Sequence, residues 1–250
     1  MDVILEIKNL NKHFDGIYVS KNIILKIFKG SLTAIIGPNG AGKTSLFNLI
    51  SGYIEKDSGK IYFQGMDISD KKPENIASMG IVRAFQVANF FPDETVYDNV
   101  LVASISLFKK STNFLADKYS FKNIREHTDM ILKNLNLFEK RDLKASELSH
   151  GDQKILDIAM ALTLSPKVLL LDEPTAGMSP DERKSMVKVI KELHKKFNLT
   201  TLFIEHDMDV VFGIAEIIRV MVRGEIIAEG TAEEIRNNPM VIESYLGKEV

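Results

Sequence analysis

The sequence predicts an α/β fold with a mainly parallel sheet, and three observations lead to this prediction. Short apolar and β-branched runs alternate with stretches of helical periodicity over most of the 250 residues. A glycine-rich loop stands between one such run and a helix, and a helical stretch interrupts the alternation near the middle of the chain. Strands separated by helices favour parallel pairing. We therefore expect one compact unit with a β-rich start and a helical insertion.

The elements predicted from this periodicity follow one another in a simple order. Strands are predicted in the first part of the chain at 23–28, 32–36, 60–64 and 80–85, with a helix at 42–51. After the insertion we expect strands at 168–171 and 200–204, a helix at 180–197 between them, a hairpin of 217–222 with 225–228, and helix from 231 onward. Residues 1–92 and 165–250 are thus assigned to the α/β core, and about 93–164 to a helical subdomain.

Composition restricts the classes of function. The 34 acidic and 32 basic residues nearly balance, so there is no basic footprint for nucleic acid. The chain has no cysteine, which excludes disulfides, thiolate catalysis and zinc-thiolate sites. Its first residues alternate like a strand rather than forming a signal peptide, and the longest nearly uncharged window, 100–108, is too short to span a bilayer. We expect a cytosolic protein that needs another chain for any membrane passage.

The glycine-rich loop matches the phosphate-loop pattern G-x-x-x-x-G-K-[ST]. Its amide N–H groups and the positive end of the following helix can face a phosphate group. We expect Lys43 to reach the β and γ phosphates and Thr44 to ligate Mg²⁺, rather than a plain glycine turn beside a surface lysine. The predicted nucleotide-binding set is Gly37, Pro38, Asn39, Gly40, Ala41, Gly42, Lys43, Thr44 and Ser45.

A second motif places two carboxylates at the end of an apolar strand. Asp172 and Glu173 directly follow the predicted strand 168–171. Open α/β sheets bind ligands at the carboxyl ends of their strands, so we expect Asp172 to hold the Mg²⁺ shell and Glu173 to orient or deprotonate the attacking water. Taken alone, such acids are equally well interpreted as helix caps.

Together these residues resemble the ABC ATPase family over nearly the whole chain. The segment 148–153, Leu-Ser-His-Gly-Asp-Gln, is similar to the family signature L-S-G-G-Q, although His150 and Asp152 depart from its commonest form. The resemblance implies that Ser149, Gly151 and Asp152 bind ATP held by another subunit. By itself, Ser149 is equally explained as a helix N-cap.

The same resemblance assigns three further residues to the ATP site. Gln86 resembles the glutamine-loop residue that meets Mg²⁺ and the attacking water, and His206 resembles the switch histidine that contacts the γ-phosphate. Phe14 lies where the family stacks an aromatic ring on adenine, although core packing is a rival explanation. Ser179 stands at the usual aspartate position of the D-loop, and coupling between the two ATP sites through that loop is still expected.

The resemblance also carries expectations about fold, cofactors and partners. It implies a phosphate-loop NTPase core, an antiparallel β subdomain at the N-terminus, and ATP with Mg²⁺ as ligands. It further implies a head-to-tail dimer with a second ABC ATPase subunit, either another copy or a paralogue, and contact with transmembrane permease subunits. A solute-binding protein would be an indirect partner, and the expected location is the inner face of the cell membrane.

Four segments narrow the branch of the family: 80–86, 176–180, 204–208 and 237–247. Together they are most similar to the ATPase subunits of branched-chain amino-acid importers, with urea and amide importers as relatives. Lipopolysaccharide-export ATPases are the nearer alternative. A soluble ABC ATPase acting on ribosomes or DNA, and a nucleotide-binding module without hydrolysis, are weaker ones. Phe90 and Phe91 follow the glutamine loop, and we expect one of them to line the groove for the permease's coupling helix, unless both are ordinary core aromatics.

Overall fold

The structure, a computed structural model of the chain, describes residues 2–84, 90–108 and 117–245. Its smaller sheet is antiparallel and has the strand order β2-β1-β4-β5. These strands are β1 (Val3–Phe14), β2 (Ile17–Phe28), β4 (Ser58–Phe63) and β5 (Met66–Asp67). The long hairpin of β1 and β2 places Phe14 at its tip, because Phe14 pairs with Ile17 across a two-residue turn.

The larger sheet has the order β10-β9-β3-β8-β7-β6 and is parallel except for the edge strand β10. Its strands are β3 (Leu32–Ile36), β6 (Ile81–Ala84), β7 (Val168–Asp172), β8 (Thr200–Ile204), β9 (Ile217–Val222) and β10 (Glu225–Gly230). In this register Ile204 lies beside both Ile35 and Asp172, so the carboxyl ends of β3, β8 and β7 lie at one edge. The loops that carry the predicted chemistry leave the sheet there.

Helices cover the larger sheet and supply the loops at this edge. They are α1 (Lys43–Ile50), α2 (Pro73–Met79), α3 (Val96–Phe108), α4 (Asp117–Asn134), α5 (His150–Leu162), α6 (Pro180–Phe197), α7 (Met208–Ile214), α8 (Ala232–Arg236) and α9 (Pro239–Ser244). Helices α3, α4 and α5 follow one another between β6 and β7, where the inserted helical subdomain is predicted. Among the described residues, no helix combines the length and apolar character needed to cross a membrane.

The hydrophobic core lies on both faces of the larger sheet. On β3, Ala34 and Ile36 pack into one cluster with α3, α5 and α6, whereas Ile35 packs into a second cluster with β1, β2 and α1. A strand that is buried on both faces has a nearly continuous apolar sequence, and this is the case for β3, β7 and β8. The core therefore holds β3 and β7 rigidly, and these strands carry the phosphate loop and the carboxylates.

The α/β class, the mainly parallel sheet and the order of the main elements are confirmed. Two sequence predictions miss real structure. The predicted strand 23–28 is too short, because β2 begins at Ile17 and pairs with β1 along the whole hairpin. Helix α2 was not predicted, although Pro73 in its first turn and Gly80 at its C-cap are local signals of such a helix.

Candidate functional site

The phosphate loop turns tightly between β3 and α1. Gly37 has φ 151° and Gly42 has φ 101°, which are conformations that side chains rarely allow. A Cβ at Gly37 would lie 1.9 Å from the Met221 carbonyl oxygen, and one at Gly42 would lie 2.0 Å from the Val19 carbonyl oxygen. Both positions thus require glycine because the loop is wedged between β9 and β2.

Lys43 begins α1 and points back into this loop. Its Nζ donates to the carbonyl oxygens of Gly37, at 2.7 Å, and Pro38, at 3.0 Å. Burial lowers the pKa of the Lys43 ammonium, and the charges of Glu173 and Asp172 oppose that shift. The first turn of α1 holds no acidic residue, so the amides and the lysine form a concave positive site suited to a phosphate anion.

Asp172 is the last residue of β7 and is buried. Its Oδ2 accepts a hydrogen bond of 2.5 Å from Nη2 of Arg83 on β6. Burial raises the pKa of the Asp172 carboxyl, and Arg83 acts against that shift. Oδ1 of Asp172 is buried without a hydrogen-bond partner among the described residues, which is rare for a carboxylate and fits a position made for a cation.

Glu173 and His206 meet across the ends of β7 and β8. His206 Nε2 donates to Glu173 Oε1 over 2.9 Å, and both side chains are partly exposed. Glu173 has φ 50°, a left-handed conformation that non-glycine residues seldom adopt. Such strain is characteristic of functional positions, where the surrounding structure enforces it.

A buried carboxylate that the sequence did not single out holds these two loops together. Glu205 accepts hydrogen bonds at Oε1 from the Thr175 N–H, at 2.8 Å, and the Thr175 hydroxyl, at 2.6 Å. Its Oε2 accepts from the His206 N–H at 3.1 Å. Asp207 then caps α7 and pairs with Arg183 of α6. The His206 backbone is therefore fixed from both sides, by long-range contacts that sequence pattern alone does not reveal.

The site residues surround a cavity of about 260 Å³. Its lining contains Val19, Asn39, Gly40, Ala41, Gly42, Lys43, Thr44, Ser45, Glu173 and His206. A second cavity of about 760 Å³ adjoins it, shares Asn39, Gly40, Ala41 and His206, and extends to Arg223 and Tyr245. Two sequence-predicted groups, the phosphate loop and the pair Glu173 and His206, are thus brought to one place.

Phe14 lies away from that cavity's lining, and its ring is 45% exposed, so it does not pack in the core. Lys12 Nζ lies 5.0 Å from the centroid of the Phe14 ring. Asp57 fixes the strand just before Phe14, because it accepts hydrogen bonds from Lys12 Nζ at 2.9 Å and from the His13 N–H at 2.7 Å. One ring at the tip of the hairpin is therefore held out toward solvent, available for stacking.

The signature segment is found at the start of α5, and none of its residues is among those lining the phosphate-loop cavity. Ser149 is the N-cap of α5, and its Oγ accepts a hydrogen bond of 3.2 Å from the Asp152 N–H. Asp152 pairs with Lys140 at 2.5 Å. Ser149 is exposed at this helix N-terminus, where an anion could bind from outside the chain.

The signature segment also contacts the D-loop of the same chain. His150 Nε2 donates to the Ala176 carbonyl oxygen at 3.2 Å. Ser179, at the usual aspartate position, is the N-cap of α6 and forms a capping box with Glu182. Glu182 also accepts from the Gly151 N–H, which contributes to the lowered pKa of its carboxyl, after the two hydrogen bonds from Ser179. Two of the three departures from the family pattern, His150 and Ser179, thus lie in one hydrogen-bonded unit.

Gln86 lies outside the described residues, so its role as the glutamine-loop residue stays a prediction. Two residues of the site, Arg83 and Glu205, were missed by sequence reasoning. The available signal was weak: an arginine inside the apolar strand β6, and a glutamate beside the predicted switch histidine. Buried charges usually have a partner, so either residue could have prompted a search for one.

Comparison with known proteins assigns two family descriptions to the chain. A family described as "ABC transporter" matches residues 20–176. A second, described as "Branched-chain amino acid ATP-binding cassette transporter", matches residues 225–250. A probable branched-chain amino acid transport ATP-binding protein LivG of Archaeoglobus fulgidus is 39% identical, covering 98% of this chain and 95% of that protein.

Two solved structures extend the comparison to the fold. An ATP-binding cassette of an ABC transporter in its ADP conformation is 34% identical, with a TM-score of 0.86 and coverage of 99% of this chain and 100% of the other. A dimeric ATP-binding cassette bound to ADP and Pi is 25% identical, with a TM-score of 0.76 and coverage of 92% and 99%. The likeness therefore covers both sheets and the helices between them.

Proposed function

Because this chain belongs to the ABC transporter family of ATP-binding proteins, we propose that it powers the import of branched-chain amino acids or a related small polar solute. The protein is an ATPase of the ATP-binding cassette type, whose hydrolysis drives transport. The substrate class is supported by one observation above all, the match of residues 225–250 to the branched-chain amino acid cassettes. That C-terminal match favours the importer branch over the lipopolysaccharide-export alternative.

In the proposed site, the phosphate loop holds the triphosphate of ATP. The amides at the start of α1 face the phosphates, and Lys43 exchanges its carbonyl partners, Gly37 and Pro38, for phosphate oxygens. Anion binding offsets the burial that lowers the pKa of its ammonium, so Lys43 stays protonated in the complex. Phe14 stacks on the adenine from the hairpin tip.

The residues fit Mg²⁺, the cofactor that the family implies. Thr44 and Asp172 would hold it, with Gln86 as a third contact. The observation that supports the fit is the buried Oδ1 of Asp172, which has no hydrogen-bond partner among the residues that the structure describes. Bound Mg²⁺ would neutralise charge on the β and γ phosphate oxygens. Oδ2 of Asp172 is already occupied by Arg83, which leaves one carboxylate oxygen for this role.

Hydrolysis follows from the pair at the sheet edge. Glu173 accepts a proton from the water that attacks the γ-phosphate, and His206 keeps the carboxylate oriented through its hydrogen bond of 2.9 Å. Glu205 holds the His206 backbone, so the geometry is set before ATP arrives. Glu173 and His206 both line the phosphate-loop cavity, so the pair adjoins the place proposed for the γ-phosphate.

A second subunit completes the site in this proposal. Ser149, Gly151 and Asp152 do not line their own chain's phosphate-loop cavity, so we assign them to the ATP of a partner. The relative that is dimeric and bound to ADP and Pi supports a pair of cassettes closing around nucleotide. The partner is another copy or a paralogue, and closure shifts the population between open and closed dimers.

Permease subunits receive this movement at the inner face of the cell membrane, and a solute-binding protein delivers the solute. Phe91 is 55% exposed, whereas Phe90 packs partly against the core, so we assign the permease contact to Phe91. Two reciprocal hydrogen bonds fix its backbone: Asn99 Oδ1 accepts from the Phe91 N–H at 2.7 Å, and Asn99 Nδ2 donates to the Phe91 carbonyl at 3.0 Å. An exposed aromatic on a fixed backbone is a good anchor for a partner helix.

The test is transport by the complex reconstituted in vesicles with permease and binding protein. We expect ATP-dependent uptake of leucine, isoleucine or valine, and no uptake when Lys43→Ala replaces the native subunit. Glu173→Gln should bind ATP, stop phosphate release and accumulate a closed dimer on size-exclusion chromatography. Normal turnover in Glu173→Gln would remove Glu173 from its assigned role, and uptake of an unrelated solute class would overturn the substrate assignment.

A further inference from the structure

Arg83 forms a buried ion pair with Asp172, and we infer that it is a positioning residue that sets Asp172 for Mg²⁺ during ATP binding. The inference rests on the proposed function, since it concerns the same nucleotide site. The two side chains are 7% and 0% exposed, and Nη2 of Arg83 lies 2.5 Å from Oδ2 of Asp172. Neither Arg83 nor Asp172 is among the residues lining the phosphate-loop cavity, but the charge of Asp172 acts on Lys43, which lines it, so Arg83 acts on the site through Asp172.

A second anchor fixes the guanidinium of Arg83. Its Nη1 donates to Oδ1 of Asn48 over 2.5 Å, and Asn48 lies on α1, one turn beyond the phosphate loop. The Phe47 ring lies 5.9 Å from the guanidinium carbon. The planar fork of arginine thus spans two acceptors that belong to different parts of the site, the phosphate-loop helix and the metal-binding strand. A lysine at position 83 could contact only one of these acceptors well.

The ion pair determines which carboxylate oxygen of Asp172 is left to bind a metal ion. Oδ2 is held by Arg83, while Oδ1 is buried and has no hydrogen-bond partner among the described residues. An unpartnered buried carboxylate oxygen is costly, and it persists only where the surroundings hold the side chain in place. Arg83 therefore fixes the Asp172 carboxylate so that Oδ1 is the oxygen that would bind a divalent cation, as outer-shell partners of metal ligands do.

Strand pairing explains why Arg83 can do this. Arg83 lies opposite Leu170 on the neighbouring parallel strand, two residues before Asp172, so its long side chain runs along the sheet to the strand end. Its strand, β6, ends at Ala84, two residues before Gln86. Arg83 thus connects the strand that leads to the glutamine loop with the Asp172 carboxylate and with α1.

The experiment compares ATP binding with and without Mg²⁺ in the full chain. Isothermal titration gives the Kd for ATP in EDTA, the Kd for MgATP, and the Mg²⁺ concentration for half-maximal binding. Electron paramagnetic resonance of Mn²⁺ measures metal binding directly. For Arg83→Lys and Arg83→Met we expect an unchanged metal-free Kd and a rise of about 10-fold to 100-fold in the half-maximal Mg²⁺ concentration, the range typical of lost outer-shell partners. Asn48→Ala, which leaves the Asp172 contact in place, should give a smaller rise.

Arg83→Lys keeps the charge and is the variant that protects the test if Arg83→Met fails to fold. Equal loss of metal-free and Mg²⁺-dependent binding, together with lower thermal stability, would show a purely structural ion pair and overturn the inference. An unchanged Mg²⁺ requirement in a folded Arg83→Lys protein would overturn it as well. Failure of the native chain to bind ATP at all would instead refute the proposed function, so the two failures are distinguishable.

Discussion

His206 Nε2 lies 2.9 Å from Oε1 of Glu173, and this contact joins the ends of two neighbouring parallel strands at the phosphate-loop cavity. The two strands are in register, with Asp172 beside Ile204, so their loops leave the sheet at the same level. Glu173, which follows the last residue of its strand, has a left-handed backbone with φ 50°, and its carboxylate contacts His206. Two features of the structure accompany this contact: the register of the two strands and the strained backbone at Glu173.

A pair that acts as one unit should lose activity non-additively. We expect Glu173→Gln and His206→Ala each to slow single-turnover phosphate release by about 100-fold or more, as loss of a positioned acid–base group does. The double variant should be no slower than the slower single variant. The measurement is phosphate release by the reconstituted transporter at saturating MgATP.

His194→Ala supplies the matched control for this pair. His194 also faces a glutamate, with Nε2 3.8 Å from Oε1 of Glu216, but it lies on α6 away from the cavity. Its replacement should leave phosphate release unchanged. Additive losses in the Glu173 and His206 double variant would mean that the two residues act independently.

Two glycines of the phosphate loop should respond differently to alanine. Gly42→Ala places a Cβ about 2.0 Å from the Val19 carbonyl oxygen, so the loop must shift and ATP binding should fall below detection. Gly40→Ala meets nothing within 4 Å, although its φ of 77° adds backbone strain of about 1–2 kcal/mol. Isothermal titration with MgATP and chemical denaturation separate the two effects. Equal ATP affinity in both variants would contradict the wedged-loop geometry.

Asp57 should contribute stability that depends on pH. Hydrogen bonds from Lys12 and the His13 N–H lower the pKa of its carboxyl from 3.8 to about 2. Because the folded pKa lies below the unfolded one, this stabilisation is present above about pH 4 and is lost as pH falls toward about 2. The melting temperature of Asp57→Asn should therefore lie below that of the native chain at pH 7, and the gap should narrow below pH 4.

A surface aspartate provides the comparison for Asp57. Asp142 is 87% exposed and lies only 3.6 Å from its sequence neighbour Arg141. Asp142→Asn should change the melting temperature little at any pH, because exposed pairs contribute little. If the gap for Asp57→Asn stayed constant from pH 7 to pH 3, its carboxyl would not be the source of the stabilisation. Since Asp57 also fixes the strand before Phe14, the variant should weaken ATP binding modestly.

Phe91 should matter for assembly rather than for stability. Phe91→Ala removes an exposed ring and should leave the melting temperature nearly unchanged, while binding to the permease and transport-coupled ATPase activity fall. Phe90→Ala removes a ring that packs partly against the core and should lower stability instead. The measurements are co-purification with permease subunits and thermal unfolding of the isolated chain. Lower stability with intact assembly and coupled activity in Phe91→Ala would count against the contact.

Much of the nucleotide site could be predicted because its requirements are local. Gly42 and Lys43 are adjacent in the chain, and a glycine-rich turn between a strand and a helix positions amides for phosphate whatever surrounds it. The strand that ends in Asp172 is recognisable from its apolar run alone. Local backbone preferences thus determine which residues can hold phosphate.

Contacts between distant segments could not be predicted in this way. Arg83 and Asp172 are 89 positions apart, and Thr175 and Glu205 are 30 apart, so no periodic pattern connects them. Ser149 is a case in which the fold of one chain does not separate two interpretations of the sequence. The structure shows it as an N-cap, and a cap is compatible with either a structural or an anion-binding role.

By itself, the sequence determined the α/β class, the order of the main strands and helices, the phosphate loop and the strand-end carboxylates, because periodicity and turn chemistry act over a few neighbouring residues. Only the tertiary structure decided that Arg83 binds Oδ2 of Asp172 while Oδ1 has no partner in the described part of the chain, that Glu205 fixes the His206 loop, and that Phe14 is exposed. These outcomes depend on strand register and on which side chains share the buried interior. Buried polar groups find partners wherever the fold brings them together, and sequence separation does not restrict that choice.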